Sequence, residues 1–204
     1  MNPLPKLYAI VDVSSFPSAE LLFRAAEELV AAGARIVQYR NKSDDPRSML
    51  ADARELRRRI GARASLIMND RADLCVAADF DGVHLGQDDL SPESARKILG
   101  RGRILGISTH NPEQVKRADE TSADYIAIGP VFETSTKASP DPVVGLSGVR
   151  RARELTAKPL VAIGGIHREN CRPVIEAGAD SVAVISGLVV EPGKSVEEFL
   201  RILG

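Results

Sequence analysis

The chain has 204 residues, 44% hydrophobic and 27% charged, with Lys+Arg 27 against Asp+Glu 28 and a formal net charge of -1. That balance speaks against a nucleic-acid-binding basic face and against attraction to an anionic membrane. No apolar run approaches the roughly 20 residues of a membrane span.

Met1-Asn2-Pro3-Leu4-Pro5 runs directly into a strand and leaves no room for a signal peptide, so a cytoplasmic protein is expected. Strand-like runs at 7–12, 35–40, 65–68, 82–85, 104–108, 125–128, 160–163 and 181–185 alternate with helical patterns at 18–32, 46–60, 71–78, 92–99, 112–119, 148–155, 169–177 and 196–203. The strand runs are rich in Val and Ile and mostly lack polar alternation, which suits parallel strands covered on both faces. The first helix places Leu21, Leu22, Ala25, Ala26, Leu29 and Val30 on one stripe, with Ser18 as N-cap and Gly33 as stop. Pro46, Pro92 and Pro112 open their helices at the first turn, where no N–H is needed. Cys75 and Cys171 lie far apart inside helical patterns and read as small buried hydrophobes, in keeping with a reducing compartment.

A weak repeat of helix end, small-residue turn and strand recurs at 32–37, 122–127 and 177–182. Eight βα units in this length predict an α/β fold, a single-domain (β/α)8 TIM barrel of eight parallel strands spanning 1–204. A doubly wound open sheet is second choice, since its G-x-G-x-x-G turn is missing. One irregular segment, 130–146, follows the sixth strand and would therefore lie on the catalytic face.

In a barrel the residues after each strand carry the chemistry. After strand two, Gln38, Arg40 and Lys42 share one side by alternation, an amide and two cations suited to an anion; a solvated charged loop is the plainer reading. Strands three and four end in Asn69-Asp70-Arg71 and Gly86-Gln87-Asp88-Asp89. Asp70 and Asp89 suit Mg2+ beside substrate phosphates; equally, Asp70 would cap the next helix and Asp89 sit in a polar turn. His84, inside strand four, reads first as a core histidine. Ser108 closes strand five, Asn111 reads as a helix cap, and His110 reads as solvated or capping before it reads as an acid or base. Thr134-Ser135-Thr136-Lys137 resembles an anion grip. Gly164-Gly165 after strand seven and Ser186-Gly187 after strand eight match the usual phosphate corner of such barrels. No catalytic triad, zinc or P-loop pattern is present.

Taken together, Val37-Gln38-Tyr39-Arg40-Asn41-Lys42, Asn69-Asp70-Arg71, the run 81–89, the run 106–110, the run 129–137, Ala162-Ile163-Gly164-Gly165-Ile166 and Ile185-Ser186-Gly187 resemble the thiamine-phosphate synthase family over nearly the whole chain. The resemblance implies a transferase of thiamine biosynthesis that joins hydroxymethylpyrimidine diphosphate to hydroxyethylthiazole phosphate. Diphosphate leaves first, and the thiazole nitrogen captures the resulting pyrimidine-methyl cation. By position it implies Gln38 and Ser108 at the pyrimidine, with Arg40, Lys42, Lys137 and Asn69 at the diphosphate. Asp70 and Asp89 would ligate Mg2+. Thr134, Ser135 and Thr136 would meet the thiazole, with Gly165, Ile185 and Ser186 at its phosphate. Tyr39 and Asn41 fall within the same substrate-binding run. Catalysis is assigned to Arg40, Lys42, Lys137 and Ser108. Asn41 stands where an acidic residue is common and Glu133 where proline is common; Asn41 is expected to point away. The partners implied are small molecules, with no nucleic acid and no membrane, and the sequence does not decide between a monomer and a homo-oligomer. A thiazole tautomerase of the same fold, a non-catalytic phosphate-ligand-binding barrel and an aldose-phosphate isomerase or epimerase are the rivals. The first has no need of the aspartate pair, and the last needs a strand-end base that does not stand out.

Overall fold

The computed structural model describes residues 4–134 and 141–204. Its strands are β1 (Leu7–Asp12), β2 (Ile36–Arg40), β3 (Ser65–Asn69), β4 (Gly82–Leu85), β5 (Ile104–Thr109), β6 (Tyr125–Ile128), β7 (Leu160–Ile163) and β8 (Ser181–Val184). They close in sequence order into a barrel, every neighbouring pair parallel, with β1 completing the circle against β8. The helices are α1 (Ala19–Ala31), α2 (Pro46–Ile60), α3 (Ala72–Ala77), α4 (Pro92–Leu99), α5 (Pro112–Asp119), α6 (Gly145–Leu155), α7 (Cys171–Glu176) and α8 (Pro192–Leu203). The (β/α)8 expectation holds, and among the described residues no helix is long and apolar enough to cross a membrane.

Element ends differ where a local rule overrides periodicity. α7 begins at Cys171 rather than 169, because Pro173 fits a first turn but deeper in a helix would cost a backbone hydrogen bond. α8 begins at Pro192, four residues before its apolar stripe, after Glu191 turns the chain through a left-handed φ of 47°. α6 takes in Gly145, so the irregular stretch is shorter than expected.

Two cores result. Alternate strand residues point inward and form one cluster that includes Tyr8, Ile10, Ile36, Ile67, Tyr125 and Val161. The other set, including Val37, Leu66, Val83, Leu105, Ile126 and Val182, packs against the helices. Gly106 belongs to the inward set for a steric reason: a Cβ there would lie 2.0 Å from Cζ of Tyr125.

At the N-terminal end of the barrel one device repeats. Asp81, Asp124 and Asp180 each precede an even-numbered strand. Their Oδ2 atoms accept the N–H of Leu66 (2.7 Å), Leu105 (2.8 Å) and Leu160 (2.7 Å) on the preceding strand. Each aspartate N–H returns a bond to that leucine's carbonyl. Each carboxylate also takes an arginine from the helix that leads into that neighbouring strand, α2, α4 or α6: Arg57 at 2.7 Å, Arg96 at 2.7 Å and Arg153 at 2.9 Å. At the equivalent place before β2 stands Arg35, which bonds back to the carbonyls of Val30 and Ala34.

Asp124→Ala should therefore strand the Leu105 N–H and take from Arg96 its carboxylate partner, leaving it the carbonyls of Gly100, Arg103 and Ser122. The expected loss is about 1–3 kcal/mol, read as a lower urea midpoint or a Tm fall of roughly 2–4 °C per kcal/mol. An unchanged midpoint would show that the clamp contributes nothing.

Candidate active site

The C-terminal ends of the strands open on a cavity of about 500 Å3, within the range of small-ligand sites. β2 points Gln38, Arg40 and the following Lys42 into it, as alternation predicts. The Arg40 guanidinium is hydrogen-bonded to Asp12, which ends β1 and is 2% exposed. The other oxygen of Asp12 accepts the N–H of Ser14 at 3.0 Å and its hydroxyl at 2.7 Å. A fixed carboxylate thus aims Arg40, whose remaining donors are left for a ligand.

Lys42 donates to Oδ2 of Asp70 at 2.5 Å. Asp70 has a left-handed backbone, φ 62°, which Asp tolerates better than most residues. Its N–H is fixed to the carbonyl of His84 at 2.8 Å. Asp89 lines the same wall as Asp70, near enough for the Asp70 carboxylate to act on it. Burial raises the Asp89 carboxyl above its ordinary range and the Asp70 carboxylate raises it further, while the Gly86 N–H, 2.6 Å from Oδ2, opposes them. Two neighbouring carboxylates resist holding two charges at once, and a divalent cation between them would relieve that repulsion. Their all-oxygen donors fit Mg2+, which typically takes one or two carboxylates and completes its shell with water and phosphate oxygens. Among the described residues no cluster of three or more His, Cys, Asp or Glu side chains offers a fuller protein cage.

Asn69, 8% exposed, lines the same wall, and its Nδ2 is buried without a hydrogen-bond partner among the described residues. Buried donors are rarely left unmade, so this one is free to bond a ligand oxygen. Deeper in, His84 bonds Tyr125 Oη through Nδ1 and Ser108 Oγ through Nε2, both at 2.8 Å. Thr134, Gly165, Ile185 and Ser186 close the far side. Gly165 takes φ 64°, and a Cβ there would fall 2.4 Å from the Glu133 carbonyl, so glycine alone lets these two loops meet. Ser186 opens a short 3-10 turn, Ser186–Leu188.

The structure brings most of the expected residues together and moves two away. Tyr39 and Asn41 are not in the cavity wall. Strand alternation sends Tyr39 outward, where its hydroxyl donates to Asp52 at 2.8 Å and accepts from Asn41 Nδ2 at 3.0 Å. Asn41 Oδ1 caps the Ser43 N–H at 2.9 Å. Ser135, Thr136 and Lys137 lie outside the described residues. Asp70 does not cap α3, whose N-cap is Arg71 with no side-chain bond, whereas Ser18 and Asn111 do cap their helices. His110 lines the cavity with Nδ1 2.6 Å from the Gly129 carbonyl oxygen. Sequence reasoning missed Asp12, Tyr8 and Tyr125; the available signal was their inward parity on β1 and β6.

The family model described as thiamine monophosphate synthase matches residues 7–188. The chain is 58% identical over 203 residues to the thiamine-phosphate synthase of Koribacter versatilis, covering 98% of this chain and 96% of that one. It is 42% identical to the thiamine-phosphate synthase of Methanosarcina mazei, over 87% of this chain and 75% of that one. In three dimensions it superposes on thiamine phosphate pyrophosphorylase from Pyrococcus furiosus with a TM-score of 0.86 at 35% identity, covering 97% and 95% of the two chains.

Burial pushes the His84 imidazole down from 6.5 to about 4; Asp70 opposes the shift and Lys42 adds to it. As pH falls below 6.5 the unfolded chain takes up a proton that the folded chain refuses, so stability should decline from there towards about pH 4. In an NMR titration the His84 ring signals should stay at their neutral positions from pH 8 to about 5. A midpoint near 6.5 would contradict the buried, doubly bonded ring.

Proposed function

The chain belongs to the thiamine monophosphate synthase family, and on that premise we propose that its cavity joins hydroxymethylpyrimidine diphosphate to hydroxyethylthiazole phosphate, giving thiamine phosphate and diphosphate. The reaction is a transferase reaction of thiamine biosynthesis, and residues 1–204 serve as one catalytic domain. The observation that carries this reading is the cavity wall that Asp70 and Asp89 share while Arg40 and Lys42 face the same space.

As the bond from the pyrimidine methylene carbon to the diphosphate oxygen breaks, negative charge gathers on the leaving group. Arg40 and Lys42 meet that charge with donors turned to the cavity, and Lys137 is assigned the same role by its position in the family's motif. Asn69 Nδ2 gives one more bond to a diphosphate oxygen. Asp70 and Asp89 would hold Mg2+, which supplies charge neutralisation and orients the phosphates when bound. Gln38 and Ser108 orient the pyrimidine. Thr134, Ser135 and Thr136 meet the thiazole, and Gly165, Ile185 and Ser186 hold its phosphate, so that the ring nitrogen faces the exposed methyl cation. No residue needs to act as a strong base, which agrees with a neutral His84 in the floor.

Glu133 lends no weight to a tautomerase: it is exposed and absent from the cavity wall. The small-molecule partners and Mg2+ require no second macromolecule. A cytoplasmic setting fits the two buried free cysteines, and a homo-oligomer is compatible with this one-chain site.

Asp70→Asn, which preserves the left-handed turn, and Lys137→Ala should each lower kcat by roughly 100-fold or more, with little change in Tm. Chelation should abolish product formation, and added Mg2+ should restore it. Thiamine phosphate formed from the two purified substrates, resolved by chromatography, is the readout. Undiminished coupling by either variant would remove that residue from the site, and no product from the wild type would overturn the proposed reaction.

A further inference from the structure

Behind the cavity wall, on the side of β2 that faces α2, a second set of polar groups is joined in a single direction. The Ser43 N–H donates to Asn41 Oδ1 at 2.9 Å, Asn41 Nδ2 donates to Tyr39 Oη at 3.0 Å, and Tyr39 Oη donates to Asp52 Oδ2 at 2.8 Å. Tyr39 is 1% exposed and Asn41 8%, and neither lines the cavity. Asp52 stands half-buried in the second turn of α2. The line therefore runs from a helix outside the site to the turn that follows β2, and Asn41 sits between Arg40 and Lys42, which do face the cavity.

The direction follows from what each group can offer. The Asp52 carboxylate only accepts, and the phenol has one proton to give it. What meets the phenol oxygen from the other side must then be a donor. The same residue must also accept from the Ser43 N–H, and an asparagine amide does both with one planar group. Turned over, it would set its NH2 against the Ser43 N–H and its oxygen against a phenol whose proton is already committed. An aspartate at this position would have no proton to give, and two carboxylates would compete for the one phenol proton.

Arg40 and Lys42 differ in what holds them. Arg40 is fixed at its tip by Asp12, which is not in the cavity wall. The Lys42 side chain is 55% exposed, and its tip rests on Asp70, the carboxylate that the reaction proposed above gives to Mg2+. With Asp70 so engaged, Lys42 depends on its backbone. An asparagine that bonds the N–H two residues on closes a local turn, and the bond from Asn41 to Ser43 spans Lys42. We propose that the Asp52–Tyr39–Asn41 line is a positioning device for diphosphate binding: from behind the wall it fixes the turn 41–43 and with it the point from which Lys42 reaches the leaving group. This rests on the reaction proposed above. Asp52, Tyr39 and Asn41 are positioning residues, acting through Lys42 without touching substrate.

The test measures binding of inorganic diphosphate with Mg2+ by calorimetry at pH 8, beside thiamine phosphate formation. Asn41→Asp keeps the shape and removes the donor. It should weaken diphosphate binding about tenfold or more, as one mismatched buried polar group does, and raise KM for the pyrimidine diphosphate more than for the thiazole phosphate. Adding Asp52→Asn should restore most of the affinity, because the new amide donates to the phenol, which then gives its proton to the carboxylate at position 41. Adding Tyr39→Phe to that pair should abolish the restoration, since the phenol carries it. This pattern supports the line. Wild-type affinity in Asn41→Asp, no restoration by Asp52→Asn, or a restoration that survives Tyr39→Phe and so reflects charge alone, each overturns it. A wild type that binds diphosphate but forms no thiamine phosphate overturns the proposed reaction, and the binding series still decides the line. A wild type that binds no diphosphate overturns both.

Discussion

Along each strand of this barrel successive side chains leave opposite faces of the sheet, and closing the sheet turns one face into a lumen and the other into a seat for helices. Residues only one apart in sequence therefore live in different environments. Gln38 and Arg40 reach the cavity, while Tyr39 between them is buried under α2, bonded to Asp52. Tyr8 and Ile10 fill the lumen, while Leu7, Ala9 and Val11 face the helices. A shift of one residue in any strand would exchange these sets. The functional wall is thus as dependent on register as the core is.

Once parity has placed the charged groups, their mutual electrostatics fix the chemistry. Asp12 is spent on Arg40, and Lys42 lies against Asp70, which shares the cavity wall with Asp89. The result is a wall with cations at one edge and an acidic pair beside them, next to an Asn69 Nδ2 that has no partner among the described residues. Such a wall is ready for a phosphate-bearing anion together with a divalent cation. The floor behaves differently, because its buried polar atoms satisfy one another.

Much of this was legible in the sequence. Short Val- and Ile-rich runs separated by capped amphipathic helices gave the barrel, and the N-cap roles of Ser18 and Asn111 are realised. Arg40, Lys42, Asp70 and Asp89 could be read because they stand just past strand ends, where a barrel displays its chemistry. The departures have local causes. The 192–195 stretch lacks apolar residues and contains Pro192-Gly193, which reads as a turn, yet it forms the first turn of α8. The run 37–42 was taken whole, although parity removes Tyr39 and Asn41 from the cavity. The hydrogen bonds among Tyr8, Tyr125 and His84 could not be read at all, since these residues are far apart in the chain and each looks like an ordinary strand residue. Only closure of the barrel makes them neighbours.

The aspartate clamps at the opposite end bear on how such a molecule can change over generations. Asp81, Asp124 and Asp180 tie strand to strand and helix to strand at the base, remote from every loop that lines the cavity. Closure is thereby insured where no ligand is handled. Loops at the mouth are left free to drift in length and composition without loosening the cylinder beneath them. The same base could carry a different set of mouth residues, so that a new substrate is explored by substitution at one pole while the other holds the architecture constant.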